Sequence, residues 1–331
     1  MKRRDFHKTL IAATALPSPK SFKTSKKLKV GDRVGLIAPA SKIDETRLQK
    51  AVKNMESIGL QVFYDPKILE TQGYLGGSDQ HRVDQLHAMY ADKKIDAIWC
   101  VRGGYGATRL LDQIDFELIR SNPKPLLGYS DITALLNTIH EKTNSPCFHA
   151  PVASSTFSKY TIDQLAPIWG LKEQYELRPS IENQQNKDEA FRYYPIIEGT
   201  GEGRLVGGNL SLIVSLLGTA HALNTRGKIV FIEDIGEHCY RIDRMLTQLL
   251  SAGFFDGVQG ILFGVFEDCT PEREGTQTLK EVLTDRLKPL GIPCAYGFSF
   301  GHIRHQMTLP IGAEVLINTQ NGRILLQNDG Y

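Results

Sequence analysis

Between residues 34 and 150 of this 331-residue chain, short apolar runs alternate with amphipathic helical patterns, and no other feature constrains the fold as strongly. Five of the runs have the length and composition of strands: residues 34–38, 61–64, 97–101, 125–129 and 147–150. The helical patterns occupy residues 45–58, 79–91, 108–114 and 131–141. Strands that alternate with helices form a parallel sheet with helices on both faces. The sequence therefore predicts an α/β protein with an N-terminal doubly wound, flavodoxin-like sheet.

The second half of the chain has strands and helices of its own. A strand at 229–232 precedes a helix whose apolar face consists of Ile242, Met245, Leu246, Leu249 and Leu250. A strand at 261–266, a helix at 279–287 and a strand before residue 302 follow, and residues 313–326 contain a predicted hairpin with an Asn-Gly turn. We predict an N-terminal domain at 30–174 and a smaller C-terminal α/β domain with β-hairpins at 201–331. The polar, aperiodic segment at 175–200 is interpreted as a linker or an exposed crossing.

Ser130 lies at a sharp turn between a predicted strand and a predicted helix, in the segment LGYSDIT (127–133). A serine in such a turn projects its hydroxyl from the sheet edge, where N–H groups of the first helical turn can stabilise an oxyanion. The usual G-x-S-x-G elbow needs a second glycine, and Ile132 occupies that place. From these residues alone, Ser130 is either a nucleophile or the N-cap of the helix.

Two later strands end in polar residues that can complete a catalytic group. The apolar run at 227–234 ends in the acids Glu233 and Asp234, and the run at 295–302 ends in His302. Because ligands bind at the carboxyl ends of strands in open α/β sheets, Ser130, Glu233 and His302 are predicted to converge in the cleft between the domains. Two alternatives stay open: Glu233 pairs with a nearby arginine, or His305 replaces His302 as the base. We favour His302, because His305 lies farther past the strand end and has no glycine before it.

Six segments then give the chain a family resemblance. They are GDRVGLIAP (31–39), RGGYG (102–106), GYSDIT (128–133), GGNL (207–210), EDIGE (233–237) with YRIDR (240–244), and GH (301–302). In these segments, which follow the family's order, the chain resembles the serine LD-carboxypeptidases. That family includes the murein tetrapeptide carboxypeptidases and the microcin C immunity peptidases. The resemblance implies a catalytic triad of Ser130, Glu233 and His302, with no metal and no cofactor.

The resemblance also implies an activity, which is hydrolysis of the bond between an L-centre and a terminal D-amino acid. The expected partner is a peptidoglycan-derived peptide, a murein tetrapeptide that releases D-alanine. Two alternatives stay open. The same triad could cleave the acyl-sulfamoyl bond of a toxic aminoacyl-nucleotide, as in the immunity relatives, or the chain could be a non-catalytic muropeptide-binding protein. A homodimer is a further expectation.

The glycine-rich segment RGGYG follows an apolar strand but has neither the dinucleotide spacing nor that of a phosphate loop. Its glycines permit close approach of the backbone to a ligand. We expect the N–H groups of Gly104 and Asp131 to form an oxyanion hole. The alternatives are a plain tight turn for the segment and, for Asp131, a first-turn acid favoured by the helix dipole.

A carboxypeptidase must also bind the terminal carboxylate of its substrate, and guanidinium groups bind carboxylates in a two-pronged geometry. The candidates are Arg102, Arg241 and Arg244, and a surface salt bridge is the alternative for each. Asn209 is a further candidate, which either lines the cleft or caps the helix that runs to residue 217.

Charge is unevenly distributed along the chain. The formal net charge is +2, but residues 1–30 contain nine Lys or Arg against one Asp, which leaves 30 basic and 36 acidic residues in the rest. An acidic body provides no surface for nucleic acid, and no apolar run approaches the roughly 18 residues of a membrane span. The five cysteines lack the spacing of a zinc site or redox motif and are expected to be small core residues.

Residues 1–29 are predicted to be a twin-arginine export signal with a basic lead. Arg3 and Arg4 precede a short apolar stretch at 10–16. Export by the twin-arginine machinery would place the protein in the periplasm. The alternative is a disordered basic tail on a cytoplasmic protein.

Overall fold

The computed structural model describes residues 27–170 and 174–327, which form two β-sheets. The predicted export signal at residues 2–16 lies outside the described residues. Among the residues that are described, no helix combines the length and the apolar composition that crossing a bilayer requires.

The first sheet is built mainly from the N-terminal half of the chain. Its strands are β1 (Arg33–Ile37), β2 (Gln61–Phe63), β3 (Ala97–Cys100), β4 (Leu126–Gly128) and β5 (Cys147–His149). They are parallel and lie in the order β5-β4-β3-β1-β2. The connecting helices are α1 (Glu45–Ser57), α2 (Asp79–Ala91), α3 (Phe116–Ser121) and α4 (Thr133–Thr143). The predicted parallel α/β sheet is therefore confirmed.

Three details of this half differ from the prediction. The pattern at 108–114 is a 3₁₀ segment, Ala107–Gln113, rather than an α-helix. Helix α3 was not predicted, because six residues are too few to show an apolar period; Asp115 caps it by accepting from the backbone N–H groups of Glu117 and Leu118. Helix α4 begins at Thr133, because residues 130–132 form a 3₁₀ turn.

The rest of the chain forms the second sheet and one strand of the first. Its strands are β6 (Tyr175–Leu177), β7 (Tyr194–Ile197), β8 (Thr200–Asn209), β9 (Lys228–Glu233), β10 (Gly260–Gly264), β11 (Cys294–Phe298), β12 (Leu309–Pro310), β13 (Glu314–Asn318) and β14 (Arg323–Leu326). Its helices are α5 (Lys159–Asp163), α6 (Ala166–Trp169), α7 (Ile181–Gln184), α8 (Leu210–Ser215), α9 (Cys239–Ser251) and α10 (Leu279–Leu287). The second sheet has the order β6-β14-β13-β8-β9-β10-β11-β7, with a parallel centre from β8 to β11 and antiparallel flanks.

The segment predicted to be a linker, residues 175–200, belongs instead to the second sheet. Strand β6 pairs with β14 and β7 pairs with β11, so the segment supplies both edge strands of that sheet. Edge strands tolerate polar and charged side chains, because one side of such a strand faces no further strand. Polar composition therefore does not distinguish an edge strand from a linker.

The two sheets are tied together by the chain and by a common core. Strand β12 enters the first sheet, where Leu309 pairs antiparallel with His149 of β5. One continuous hydrophobic core contains Leu135 of α4, Phe231 of β9, Leu309 and Val315 of β13. This packing brings the carboxyl ends of β4, β9 and β11 to one place.

Candidate active site

Ser130 lies two residues after the end of β4, in a strained backbone conformation. Its φ is 65°, the left-handed region that a non-glycine residue seldom occupies. The Ser130 side chain caps neither the 3₁₀ turn nor α4. Its Oγ instead lies 3.0 Å from Nε2 of His302. The N-cap interpretation of Ser130 is therefore wrong, and the sharp strand-to-helix turn is confirmed.

His302 joins Ser130 to a buried carboxylate. Its Nδ1 lies 2.8 Å from Oε2 of Glu233, the last residue of β9, which is fully buried. A neutral imidazole whose Nδ1–H donates to Glu233 leaves the Nε2 lone pair free to accept the Ser130 hydroxyl proton. The structure thus brings the three predicted residues together in the order serine, histidine, carboxylate.

His302 and Glu233 shift each other's pKa, so that each group favours the charged form of the other. Burial lowers the pKa of His302, but the Glu233 carboxylate outweighs burial and holds that pKa above its ordinary value. Burial would raise the pKa of Glu233, and the neighbouring His302 reverses this and holds it below the ordinary value. Glu233 therefore stays ionised and favours the imidazolium that forms when His302 takes a proton.

The alternative partners of these residues lie elsewhere. His305 has its Nδ1 3.1 Å from Oγ of Ser158, so it is engaged outside the triad. Arg241 forms an ion pair with Glu237 at 3.0 Å, and the Arg244 guanidinium lies over the Tyr240 ring at 5.4 Å. Both arginines are exposed, and the interactions found for them do not include Glu233.

The RGGYG loop packs against the nucleophile turn. A Cβ added to Gly103 would lie 2.9 Å from Cβ of Ser130 and 3.2 Å from the backbone N of Asp131. The buried Asp131 carboxylate accepts from the backbone N–H of Ala107 at 2.8 Å, which ties the end of the loop to the turn. Ser41 holds the other side of the loop, because its Oγ accepts from the backbone N–H of Tyr105 at 3.0 Å. The hydrogen bonds that Asp131 and Ser41 form with this loop were not predicted, because they join residues that are far apart in the sequence.

Two of the predicted binding residues are Arg102, which lies beside this loop, and Asn209, which lies at the start of α8. The Arg102 guanidinium donates to the backbone oxygen of Lys42 at 3.2 Å, and its Nη2 would lie 3.4 Å from a Cβ on Gly104. Asn209 is buried, caps α8 by accepting from the N–H of Leu212, and donates to Asp234 Oδ1 at 3.0 Å. The capping alternative for Asn209 is therefore confirmed, and a substrate contact for it stays a prediction.

The five cysteines are all buried and free, as expected for small core residues. Within the described ranges, no cluster of three or more His, Cys, Asp or Glu side chains is arranged to hold a metal ion.

A serine hydroxyl that contacts a histidine, itself held by a buried carboxylate at a sheet edge, is the arrangement of a serine hydrolase. The chain matches the LD-carboxypeptidase N-terminal domain over residues 34–150 and the LD-carboxypeptidase C-terminal domain over residues 202–317. The protein therefore belongs to the LD-carboxypeptidase family.

Relatives from several bacteria cover nearly the whole chain. A probable murein peptide carboxypeptidase of Bacillus subtilis is 41% identical over 89% of this chain and 91% of its own length. The murein tetrapeptide carboxypeptidase of Pseudomonas aeruginosa is 30% identical over 87% of this chain and 94% of its own length. The wild-type apo structure of the microcin C7 self-immunity protein MccF is 26% identical, with a TM-score of 0.82 over 92% of this chain and 98% of that one. The muramoyltetrapeptide carboxypeptidase of Oxalobacter formigenes is also 26% identical, with a TM-score of 0.76 over 89% and 97%.

Proposed function

We propose that the protein is a serine LD-carboxypeptidase that removes the terminal D-alanine from murein tetrapeptides. The observation that carries this proposal is the contact chain from Ser130 Oγ to His302 Nε2 and from His302 Nδ1 to Glu233 Oε2. The names of the Bacillus subtilis and Pseudomonas aeruginosa relatives support the choice of a murein peptide as substrate.

In the first half of the proposed reaction, His302 takes the hydroxyl proton as Ser130 Oγ attacks the carbonyl carbon of the L-centre. The N–H groups of Gly104 and Asp131 would stabilise the oxyanion, where one such donor is worth about 3 kcal/mol. Collapse of the tetrahedral intermediate breaks the C–N bond, and His302 delivers its proton to the departing amine of D-alanine. An ester between Ser130 and the shortened peptide remains.

In the second half, His302 takes a proton from a water molecule that attacks the ester carbonyl. The second tetrahedral intermediate collapses, His302 returns the proton to Ser130 Oγ, and the tripeptide leaves as a carboxylate. Glu233 stays ionised throughout and stabilises the imidazolium in both halves.

The free carboxylate of D-alanine needs a cationic partner, and we assign this role to Arg102. Its guanidinium lies beside Gly104 in the loop that packs on the nucleophile turn. Arg241 is already paired with Glu237, and Arg244 is exposed on the same helix, so they are weaker candidates.

A second activity has support from the structural relatives. The MccF structures superpose over 92% of the chain, and one of them is a complex with aspartyl sulfamoyl adenosine. Two exposed tyrosines, Tyr74 and Tyr105, lie with ring centroids 5.5 Å apart at the RGGYG loop and could stack on a nucleobase. The alternative is therefore cleavage of an aminoacyl-sulfamoyl nucleotide by the same triad.

Incubation with a panel of compounds, followed by mass spectrometry, tests the proposal. The panel contains a tetrapeptide ending in D-alanine, the same peptide ending in L-alanine, a pentapeptide ending in D-Ala-D-Ala, and an aminoacyl-sulfamoyl adenosine. We expect loss of one alanine from the first compound only. Cleavage of the nucleotide alone would favour the immunity activity, and no cleavage together with tight peptide binding would favour a muropeptide-binding protein.

The matched variants for this assay are Ser130→Ala and Ser158→Ala. Both serines contact a histidine, but Ser158 contacts His305 rather than His302. We expect Ser130→Ala to lose turnover and Ser158→Ala to retain it. Equal turnover in the wild type and Ser130→Ala would refute the nucleophile assignment.

The same proposal includes a role in murein recycling, assembly as a homodimer and export to the periplasm. A periplasmic enzyme would meet murein or its fragments outside the inner membrane, whereas a cytoplasmic one would meet recycled fragments.

A further inference from the structure

A buried histidine lies behind the triad, and the reaction described above does not use it. His149 is the last residue of β5 and is 2% exposed. Its ring packs edge-on against Phe231 at 5.2 Å, Tyr129 at 5.9 Å and Phe300 at 6.0 Å. These aromatic residues lie in the chain next to, or two residues before, Ser130, Glu233 and His302. His149 therefore contacts the residues that position all three members of the triad.

Both ring nitrogens of His149 are buried and have no hydrogen-bond partner among the described residues. A buried polar atom without a partner is unfavourable, and proteins seldom retain one without a structural or functional reason. An apolar residue would fill the same aromatic pocket without that cost.

One oxygen of the Glu233 carboxylate is not used in the contact with His302. Oε2 of Glu233 contacts His302, whereas Oε1 is buried and forms no hydrogen bond of good geometry within the described part of the chain. The Asn209 amide, which donates to Asp234 Oδ1, lies close enough to help lower the pKa of Glu233. Phe231 and Glu233 are two residues apart on β9, so their side chains project from the same face of the strand. Because the Phe231 ring packs on His149, the Glu233 carboxylate faces the same pocket.

We propose that His149 is a positioning residue for the triad: it donates one ring N–H towards Glu233 Oε1 through a single internal water molecule and so holds the carboxylate against His302. Internal water molecules commonly link buried polar groups that do not touch directly. A second donor on the carboxylate would fix its rotation, as residues behind a catalytic group do in other sites. This inference rests on the proposed triad.

The surroundings keep His149 neutral, which the role requires. Burial lowers the pKa of His149 to about 4, against a smaller opposing effect of Glu233. The titratable groups that face it are Tyr129 after β4, Glu233 of β9 and His302 after β11. Its ring also packs on Phe231 and Phe300, and Leu309 pairs with its backbone. A neutral imidazole donates one N–H without placing a second cation beside His302.

The test compares the wild type with His149→Phe, which keeps an aromatic ring and removes the donor, and with His149→Gln, which keeps an N–H donor. The readout is the rate at which a fluorophosphonate labels Ser130, measured against pH, with the melting temperature recorded for each variant. We expect His149→Phe to label about 10- to 100-fold more slowly. The acid limb of its pH profile should move to higher pH, because a carboxylate that has lost a donor is more basic and holds the His302 proton more strongly. His149→Gln should recover most of the rate.

Wild-type labelling in His149→Phe with an unchanged pH profile would overturn the proposal, as would equal loss of rate in both variants in step with their melting temperatures. If the wild type itself is not labelled, the proposed triad fails, which is a separate outcome. Should His149→Phe not fold, nuclear magnetic resonance of ¹⁵N-histidine-labelled protein decides the matter. The His149 ring signals should be those of a neutral imidazole and should shift in Glu233→Gln, and an absence of any shift would refute the contact.

Discussion

At the scale of single residues, the left-handed backbone of Ser130 is the feature that creates the site. A non-glycine residue in this region costs roughly 1–3 kcal/mol, so the surrounding structure must hold it there. Strand β4 fixes the chain up to Gly128, the Asp131 carboxylate ties the residue after Ser130 to Ala107, and Gly103 packs on the Ser130 Cβ. The strain places Oγ within 3.0 Å of His302 rather than in a capping position.

The first prediction concerns removal of each triad member. We expect Ser130→Ala and His302→Ala each to reduce kcat by a factor on the order of 10⁴ to 10⁶, because triad members act as a unit. Glu233→Gln should be milder, since it keeps the shape of the side chain. Steady-state kinetics with the tetrapeptide, together with circular dichroism to show an intact fold, measures this. A residual rate within tenfold of wild type in Ser130→Ala would contradict it.

The second prediction concerns pH. His302 must be neutral to accept the Ser130 proton, and Glu233 holds its pKa above the ordinary value of 6.5. The acid limb of kcat/KM should therefore lie above pH 6.5, with activity lost as the pH falls through it. In Glu233→Gln the largest raising charge is gone, only the smaller effects of Asp234 and Glu267 remain, and burial still lowers the pKa, so the limb should move to lower pH. The pH dependence of fluorophosphonate labelling in both proteins checks the sign, and an unmoved limb would argue against the Glu233 assignment.

The sequence indicated the triad residues because each lies at or shortly after the end of a strand, and strand ends are visible in the apolar pattern. It did not indicate His149 or Ser41. A histidine inside an apolar run and a serine after a strand have no distinguishing local pattern, and their roles depend on contacts with residues far along the chain.

At the scale of secondary-structure elements, the glycine-rich loop and the nucleophile turn form one unit. Gly103 has no room for a side chain, because its Cβ would lie 3.1 Å from Ser130 Oγ. The loop is held from both sides, by Ser41 and by Asp131. A change in this loop should therefore act on the nucleophile directly.

The third prediction is that Gly103→Ala lowers kcat about 100-fold with a smaller effect on stability, because displacement of a reacting group by about 1 Å costs that much. Gly199→Ala is the matched control. Its Cβ would approach Pro293 Cγ at the same 2.9 Å, between strands of the second sheet. The control should keep wild-type kcat in the tetrapeptide assay, and equal losses in both variants would mean that crowding acts through stability.

Strand β8 shows why some elements could not be predicted. Its ten residues include four glycines, which local propensity disfavours in strands. The structure explains all four, because a Cβ on each would lie less than 3.0 Å from a neighbouring atom; on Gly207 it would lie 1.8 Å from the backbone oxygen of Phe231 in β9. Glycine there permits close pairing of the two strands, which only tertiary structure reveals. The buried strands β1, β3 and β9, by contrast, are apolar runs and were predicted.

At the scale of the whole molecule, helix α4 links the two sheets at the site. Asn137 of α4 donates to the backbone oxygen of Gly207 at 2.8 Å, and Thr133 Oγ1 accepts from the N–H of Asn209 at 3.0 Å. Strand β12 then returns the chain to the first sheet soon after His302. These connections fix the position of Ser130, which follows a strand of the first sheet, relative to Glu233 and His302, which lie at or shortly after strand ends of the second sheet.

The fourth prediction is that the protein unfolds in one cooperative transition. Both tryptophans, Trp99 and Trp169, pack in the hydrophobic cluster that contains β1 and β3 of the first sheet, so their fluorescence reports on that sheet, whereas far-UV circular dichroism reports on the whole chain. The two melting curves should coincide. Leu309→Ala, in the shared core, should destabilise the protein by about 2–5 kcal/mol and move both midpoints together. Two separated transitions would show that the halves fold independently.

The fifth prediction concerns where the enzyme works. If residues 2–16 are a twin-arginine signal, the protein folds in the cytoplasm and crosses the inner membrane already folded, and its five buried, free cysteines need no oxidising compartment to form a stable core. Arg3→Lys with Arg4→Lys should keep the precursor in the cytoplasm, whereas Lys2→Arg with Lys8→Arg should not, since it leaves the arginine pair in place. Cell fractionation with N-terminal sequencing measures both. A full-length protein found only in the cytosol in every strain would refute export, and the catalytic assignment would be unaffected, because Ser130, Glu233 and His302 are positioned by the two sheets alone.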